Sequence, residues 1–391
     1  MNNGLMGNLV LFAASKDQRR YFDQLVKHTH VGARVRWYKD LFWPAFGALP
    51  LAELWRQAGL LKIRKQNSRK GKSYPRIIWP LFDLVSFVQA CWIYWVYLGW
   101  LRKEEAAFVG VWNGKKFRQA ILLEAVKAQG KSPIFFELGP LPGMTAIDAQ
   151  GVNAHSSIPR QSSFYQKREM PGQSNFHIGE DGGADTYKLP KRYIFVPFQV
   201  VEDSNIYLHS PWIRNMRQLF TLCEATLSVL NGDYCIVFKP HPACDEDYSD
   251  LKKRQNARLL FADDVPTPVL VANAEAIMTV NSTVGLEGLM AHKKVFVLGD
   301  ALFGIEGISF PVANESALKR LFQQIDSLQV DSGLMDKFID YLQTDYAVPG
   351  SAMRNPGERH WCVAESKLRM ILQGEPEKAV GLAMRNVPDE R

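Results

Sequence analysis

Short runs of apolar residues alternate with stretches of helical periodicity along most of this chain. The runs at 106–114 and 132–139 are typical of buried parallel strands, and the residues between them, KKFRQAILLEAVKAQG, have helical spacing. A strand, a helix and a second strand in this order predict a βαβ unit in a parallel sheet that is covered on both faces. The N-terminal run NLVLFAAS predicts an earlier buried strand followed by a helix, and not a secretory signal, because no basic residue precedes it.

The alternation begins again with RYIFVPFQV at 192–200, after a polar stretch over about 158–190 that predicts a long loop and linker. It continues with a helix over 210–230 and the strand YCIVFKP. A strand, a turn, a helix and a further strand then follow over 274–299. Two such halves predict an α/β protein of GT-B-like architecture, with two Rossmann-like domains facing each other across a cleft.

The length of 391 residues fits two domains, since ordinary domains contain about 100–200 residues. We predict a first domain over 1–185 and a second domain over 186–350. In the GT-B arrangement these correspond to an acceptor-side domain and a domain that binds the nucleotide sugar. Helices over 351–391 are candidates to cross back to the first domain.

The segment 62–101 combines positive charge with an aromatic, apolar stretch. Residues 62–76 contain seven basic residues and no acidic one, and 79–101 is long enough to span a bilayer. Asp83 and Gln89 would be costly in hydrocarbon, which argues against a span. A basic run before a Trp- and Tyr-rich helix is typical of docking on an anionic membrane surface. The alternative to docking is a core helix beside a solvated basic loop.

The composition limits the partners and the compartment. A net charge of +7 favours anionic partners such as phosphate-bearing substrates or an anionic membrane. Nucleic acid is disfavoured, because the basic residues cluster in one loop before an aromatic helix. The five cysteines form no C-x-x-C pair, which argues against a disulfide framework or a structural zinc site and fits a reducing compartment.

Two cationic residues follow the strand YCIVF. In FKPHP, Lys239 and His241 emerge where a strand of a parallel sheet ends, at the predicted cleft. Pro240 and Pro242 restrict the backbone around them, so both side chains are held in place. A stiff loop that carries a cation and an imidazole suits a phosphate leaving group. The alternative is a proline-stiffened turn with exposed polar residues.

The segment TVNSTVGLEG places hydroxyl and amide side chains at the start of a helix. Asn281, Ser282 and Thr283 follow a strand, and backbone N–H groups at a helix N-terminus favour an anion. Glu287 lies one helical turn after Thr283 and is a candidate acceptor for ribose hydroxyls. Ordinary helix capping is the alternative interpretation of the Ser-Thr pair.

One carboxylate follows a strand in each half of the chain. Glu137 lies in FFELGP and Asp203 in VPFQVVEDSNI. Glycosyl transfer uses paired carboxylates, one acting at the anomeric carbon and one taking the proton of the acceptor. Each residue has a structural alternative, as a helix cap or as a member of an ion pair.

Together these segments carry a family resemblance. Five segments, taken in order, resemble the capsule-polysaccharide-synthesis type of bacterial glycosyltransferase. They are ELGPLPG, DAQGVNAHSSIPR, PFQVVEDSNI, FKPHP and NSTVGLEGLMAHKKVFVLG. More narrowly, they are similar to the retaining β-Kdo transferases, which use CMP-Kdo. The resemblance covers about 109–307, and the residues before about 100 contribute no motif to it.

The resemblance implies a role for each matching residue. Asp203 corresponds to the nucleophile that takes the Kdo unit, although Glu202 beside it is an alternative, and Glu137 corresponds to the acid/base group near the acceptor. The residues implied on the CMP side are Gln199, Lys239, His241, Asn281, Ser282, Thr283 and Glu287.

The resemblance also implies the partners: a CMP-Kdo donor and a glycan or glycolipid acceptor of the bacterial envelope. We expect a cytoplasmic enzyme that is peripheral on the cytoplasmic face of the inner membrane. CMP leaves as a phosphate monoester that positive charge can stabilise, so we expect no metal or other cofactor, and the D-x-D at 245–247 is interpreted as the acidic first turn of a helix. Two alternatives stay open: a CDP-alcohol phosphotransferase of the teichoic-acid type, and a non-catalytic envelope-assembly scaffold.

Overall fold

The computed structural model describes residues 8–67, 74–169, 187–200, 204–244, 246–354 and 356–374. Its strands are β1 Leu9–Ala13, β2 Arg34–Trp37, β3 Phe108–Trp112, β4 Ser132–Leu138, β5 Met144–Asp148, β6 Tyr193–Pro197, β7 Cys235–Lys239, β8 Leu259–Phe261, β9 Ala276–Thr279, β10 Lys294–Val297, β11 Phe310–Pro311 and β12 Ala347–Pro349.

The helices are α1 Lys16–His28, α2 Leu51–Asn67, α3 Trp79–Leu101, α4 Phe117–Ala128, α5 Ser162–Gln166, α6 Ser204–His209, α7 Met216–Thr226, α8 Ser249–Lys252, α9 Thr267–Asn273, α10 Val284–Met290, α11 Glu315–Gln323, α12 Ser332–Tyr341 and α13 Glu358–Gln373. The predicted helix over 210–230 is shorter than expected and begins only at Met216. Asn215 caps it by accepting a hydrogen bond from the Gln218 N–H, and Pro211 lies in the turn before it.

The chain forms two compact units. The first combines Met1–Ser157 with Tyr341–Arg391, as far as these ranges are described, and the second is Ile158–Asp340. These boundaries differ from the predicted ones at 185 and 350. Residues 158–169 lie in the second unit because Tyr165 packs on Phe338 and Arg168 pairs with Asp340. Of the predicted linker, 170–186 lies outside the described residues.

The sheet of the first unit has the order β12-β5-β4-β3-β1-β2. Strands β4, β3, β1 and the edge strand β2 are parallel, while β5 is antiparallel to both of its neighbours. Alternate residues of β1 face opposite sides, as the geometry of a strand requires. Val10 and Phe12 pack with α2, α3 and α4, whereas Leu9 and Leu11 pack with α1 and α13. The buried strand is therefore apolar along its whole length.

The second unit has an all-parallel sheet of order β11-β10-β9-β6-β7-β8. Ile194 and Val196 of β6 pack on the side of α7 and α11, and Tyr193 and Phe195 on the side of α9. Parallel strands covered by helices on both faces are the Rossmann-like arrangement. The prediction of two Rossmann-like domains is confirmed.

Helix α3 is buried along one half and exposed along the other. Its C-terminal half, from Ala90 onward, is mostly buried in the core of the first unit. Gly99 permits a close approach of the loop before α2, because an added Cβ atom would lie 2.2 Å from the carbonyl oxygen of Trp43. Of the described helices, one, spanning Arg76–Leu101, has the length and hydropathy to cross a membrane, and core helices of soluble proteins share these properties.

Candidate functional site

Three neighbouring strands of the second unit end beside predicted donor-binding residues. β9, β6 and β7 lie side by side, with Asn281 after β9, Gln199 after β6 and Lys239 at the end of β7. Parallel strands bring their carboxyl ends to one edge of the sheet. The chain continues from β6 to β7 on one side and later forms β9 on the other, so the edge between β6 and β9 is a topological switch point, where open α/β sheets bind ligands.

Two amide side chains are paired at this switch point. Gln199 Nε2 donates to Asn281 Oδ1 at 2.9 Å, and the Asn281 backbone N–H donates to Gln199 Oε1 at 3.3 Å. Asn281 Nδ2 also donates to the carbonyl oxygen of Asn205, at 2.9 Å. Asn281 therefore ties the end of β6 to the start of α6. The predicted nucleophile Asp203, and Glu202 beside it, lie outside the described residues.

The hydroxyl residues before α10 differ in what they contact. The Ser282 N–H donates to Thr279 Oγ1 at 3.0 Å, and Ser282 Oγ accepts from the Val284 N–H at 3.3 Å. These two bonds hold Ser282 in the turn before α10. Thr283 is exposed and makes no side-chain capping bond within the described part of the chain. Its hydroxyl is the better candidate for contact with a ligand.

Glu287 is half-buried on α10. Burial raises the pKa of its carboxyl group, because the charged form loses hydration. A carboxylate in such a place gains more from a hydroxyl donor than an exposed carboxylate does. Glu287 stays a candidate acceptor for a ribose hydroxyl.

Lys239 and His241 have local partners. Lys239 Nζ donates to the carbonyl oxygens of Asp263 at 2.6 Å and Val265 at 2.7 Å, so it fastens the turn after β8. Two of the three ammonium N–H bonds are used there, and the third can serve an anion. His241 is exposed, and its Nδ1 accepts from the Ala243 N–H at 3.1 Å. In the neutral ring this leaves the proton on Nε2, as a donor.

In the first unit, Glu137 near the end of β4 is oriented by two donors. Oε1 accepts from the Leu138 N–H at 2.9 Å, and Oε2 accepts from Nδ2 of Asn113. Asn113 follows β3 and has a left-handed backbone, with φ of 64°. Its own N–H donates to the carbonyl oxygen of Phe136 at 2.7 Å. The neighbouring strands thus hold Asn113 against Glu137.

Sequence reasoning missed Asn113. The signal was the dipeptide Asn113-Gly114 directly after a buried strand, since Asn and Gly are the residues that most readily adopt positive φ. That signal indicates a tight turn but does not identify Glu137 as the partner, because the two residues lie on different strands.

The arrangement offers hydrogen-bond donors, a cation and a carboxylate, and no assembled metal site. Within the part of the chain that the structure describes, no three His, Cys, Asp or Glu side chains lie close enough together to hold a metal ion. In the D-x-D segment, Asp245 lies outside the described residues. Asp247 accepts hydrogen bonds from the N–H and the hydroxyl of Ser249, at the start of α8.

The family model for capsule polysaccharide biosynthesis proteins matches residues 178–321. This range contains the paired amides Gln199 and Asn281 and the lysine and histidine after β7. The resemblance to capsule-polysaccharide-synthesis proteins is confirmed.

Among curated proteins, the chain is 31% identical over 258 residues to Protein FixF of Sinorhizobium fredii, covering 63% of this chain and 62% of FixF. It is 25% identical over 286 residues to the capsule polysaccharide export protein KpsS of Escherichia coli, covering 55% of this chain and 71% of KpsS. The chain thus spans less than two thirds of the length of FixF.

Among solved structures, the chain is similar to KpsC of Thermosulfurimonas dismutans, a beta Kdo 2,7 transferase. The TM-score is 0.45 at 14% identity, over 85% of this chain and 89% of that chain. A UDP-GlcNAc 2-epimerase of Methanocaldococcus jannaschii has a TM-score of 0.39 at 12% identity, over 86% of this chain and 99% of that chain.

Proposed function

We propose that the protein is a glycosyltransferase of bacterial envelope-polysaccharide synthesis. It moves Kdo from CMP-Kdo to a glycan or glycolipid acceptor with retention, and so forms a β-Kdo linkage. The observation that carries the proposal is the paired amides Gln199 and Asn281 at the switch point, with Lys239 at the end of the adjacent strand and His241 just after it. The match of this region to the capsule polysaccharide biosynthesis family supports it.

The donor side of the proposal lies entirely in the second unit. The third N–H of Lys239 and the Nε2–H of His241 bind the phosphate of CMP, and Thr283 adds a hydroxyl contact. Glu287 accepts from the ribose. Gln199 and Asn281 already satisfy each other, so their role is to fix the spacing between the two strand ends around the donor.

Chemistry proceeds in two displacements. The Asp203 carboxylate forms an ester bond to the anomeric carbon of Kdo while the bond from that carbon to the CMP phosphate oxygen breaks. CMP leaves as a phosphate monoester. The acceptor hydroxyl then attacks the same carbon, releases Asp203 and loses its proton to Glu137. Two inversions give net retention.

The site of action is proposed to be the cytoplasmic face of the inner membrane, where the protein binds peripherally and meets its acceptor. The basic run at 62–76 and the aromatic helix after it support this location. Residues 68–73 of that run lie outside the described residues.

The test is to incubate the purified protein with CMP-Kdo and candidate acceptors, measure CMP release and determine the product linkage by NMR. Asp203→Ala should abolish transfer but retain CMP binding, with Glu202→Gln as the matched control. Intact-protein mass spectrometry should detect a Kdo adduct on the wild type. CMP release from CDP-glycerol but not from CMP-Kdo would contradict the proposal in favour of a phosphotransferase. Substantial turnover by Asp203→Ala would remove the assignment of the nucleophile.

A further inference from the structure

An uncovered apolar stripe begins just before α3, runs along its N-terminal half and ends at Trp92. It starts two residues before the helix, and most of its positions recur three or four residues apart, so they share one face. All of them are exposed, with Ile77 at 85% the most exposed. The members of the stripe are Ile77, Leu81, Leu84, Val85, Val88 and Trp92. A soluble monomer rarely leaves such a continuous apolar face in contact with water.

The loop at 41–47 extends this stripe with aromatic side chains. The loop is fastened over the C-terminal part of the same helix face. The Ala45 N–H donates to the Trp95 carbonyl oxygen at 2.9 Å, and the rings of Phe46 and Trp95 lie 5.0 Å apart. Phe42, Trp43 and Phe46 nevertheless remain exposed, with Trp43 at 79%. We call the stripe and these three aromatic residues the docking surface.

The segment of the chain that contains the docking surface is strongly basic. Residues 41–101 contain eight basic and two acidic residues, so they carry +6 of the net charge of +7. Both acidic residues are paired: Glu53 with Arg56 at 2.6 Å and Asp83 with Lys62 at 2.5 Å. The net charge of this segment is therefore strongly positive.

The described basic residues of the run at 62–76 lie at one end of the stripe. Helices α2 and α3 run antiparallel, since Lys62 pairs with Asp83 near the start of α3 while Trp55 packs on Phe87 further along it. The exposed residues Arg64, in the last turn of α2, and Arg76, just before α3, are thus at the N-terminal end of the stripe. Tyr74 and Trp79, with Lys62 and Arg76, line a shallow pocket there.

Aliphatic and aromatic residues beside basic ones match the chemistry of an anionic bilayer surface. Trp and Tyr prefer the headgroup level, aliphatic side chains enter the acyl boundary, and Arg and Lys bind the lipid phosphates. A membrane span is inconsistent with the packing of α3, because its C-terminal half lies in the core with Val10 and Phe12 of β1. Exposing that half to lipid would require the first unit to open.

We propose that the docking surface binds the interface of an anionic phospholipid bilayer, with α3 lying along the membrane. This inference specifies the surface that gives the peripheral membrane location in the proposed function. It rests on that proposed location and not on the proposed transfer of Kdo. Vesicle binding is measured without donor or acceptor, so its outcome is independent of whether the protein transfers Kdo.

The test is co-sedimentation of the full chain with vesicles of phosphatidylcholine, with and without phosphatidylglycerol. Phe42→Ser/Trp43→Ser and Leu84→Gln/Val88→Gln should each lower the partition coefficient about tenfold, since each removes two large apolar groups from the bilayer. Arg76→Glu should lower it about threefold, and only on anionic vesicles at low salt. The two double variants alter separate segments, so a folding defect in one leaves the other informative.

Matched controls come from the second unit. Phe164→Ser removes a half-exposed aromatic residue and Arg320→Glu reverses an exposed charge, and both should bind vesicles like the wild type. Equal binding of the wild type to neutral and anionic vesicles at low salt would overturn the proposal. The proposal would also be overturned if the wild type did not bind vesicles and light scattering showed a dimer that Phe42→Ser/Trp43→Ser dissociates. Resistance of bound protein to alkaline carbonate washing would instead indicate a span.

Discussion

The two units use amide side chains at their strand ends in different ways. In the second unit, Gln199 and Asn281 bond to each other and link two strands through neutral groups. In the first unit, the Asn113 amide bonds to the Glu137 carboxylate. A closed amide pair fixes distances and presents no charge. An amide that holds a carboxylate orients a group that can still take a proton. In the proposed mechanism, the strand ends of the second unit position the donor, and Glu137 of the first unit takes the proton of the acceptor.

The sharpest test of this comparison is Glu137→Gln, which keeps the shape of the side chain and removes the base. Transfer to the acceptor should fall about 100-fold or more, the usual contribution of a general base. Binding of CMP should be unchanged, because the donor contacts lie in the other unit. If Asp203 is the nucleophile, a Kdo adduct should accumulate in intact-protein mass spectra. A rate within twofold of the wild type would remove the base assignment.

Comparing Lys239→Ala with His241→Ala distinguishes contact with the donor from a role in stabilising the second unit. Each should reduce donor efficiency about tenfold, through loss of a hydrogen bond to charged phosphate. Lys239→Ala should also lower the melting temperature, because the carbonyl groups of Asp263 and Val265 lose their donor. His241→Ala should melt like the wild type. Wild-type kinetics in both variants would mean that these residues only shape turns.

Asn113→Gly tests the positioning role in the first unit. Glycine keeps the left-handed backbone at φ of 64° and removes only the amide. We expect kcat to fall about tenfold with the KM for CMP-Kdo unchanged, since one hydrogen bond to a charged carboxylate contributes about 1.5 kcal/mol or more. For Asn113→Ala, which adds backbone strain, we expect a larger decrease in kcat and a lower melting temperature. A rise in KM with unchanged kcat would contradict a role through Glu137.

The smallest expected effect concerns pH. Burial raises the pKa of Glu287, so its ionised form appears at higher pH in the folded protein than in the unfolded chain. This shift disfavours folding as the pH rises above the unfolded value. The ionised carboxylate is the stronger acceptor for a ribose hydroxyl, so CMP affinity should rise about threefold as the pH increases through the raised pKa. Isothermal titration calorimetry should show no such rise in CMP affinity for Glu287→Gln. If CMP affinity changed with pH in the same way in the wild type and in Glu287→Gln, contact between Glu287 and the ribose would be excluded.

Much of the fold could be predicted because local sequence patterns carry it. A buried parallel strand is apolar at every position, and LVLFA, YIFVP and CIVF are such runs. The βαβ unit from β3 through α4 to β4 follows from periodicity alone. The edge strands β2 and β12 were not predicted, because a short, partly exposed strand has no comparable apolar run.

The sequence by itself determined which residue types follow each buried strand, and hence the resemblance to a family and the location of candidate chemistry. Only the tertiary structure decided which of those residues meet. The pairing of Gln199 with Asn281, and of Asn113 with Glu137, depends on strand order, which local periodicity does not encode. The same holds for α3, whose apolar sequence is nearly uniform. Packing against β1 and the loop at 41–47 buries one half of it and leaves the other half uncovered, because burial is decided by neighbours distant in the chain.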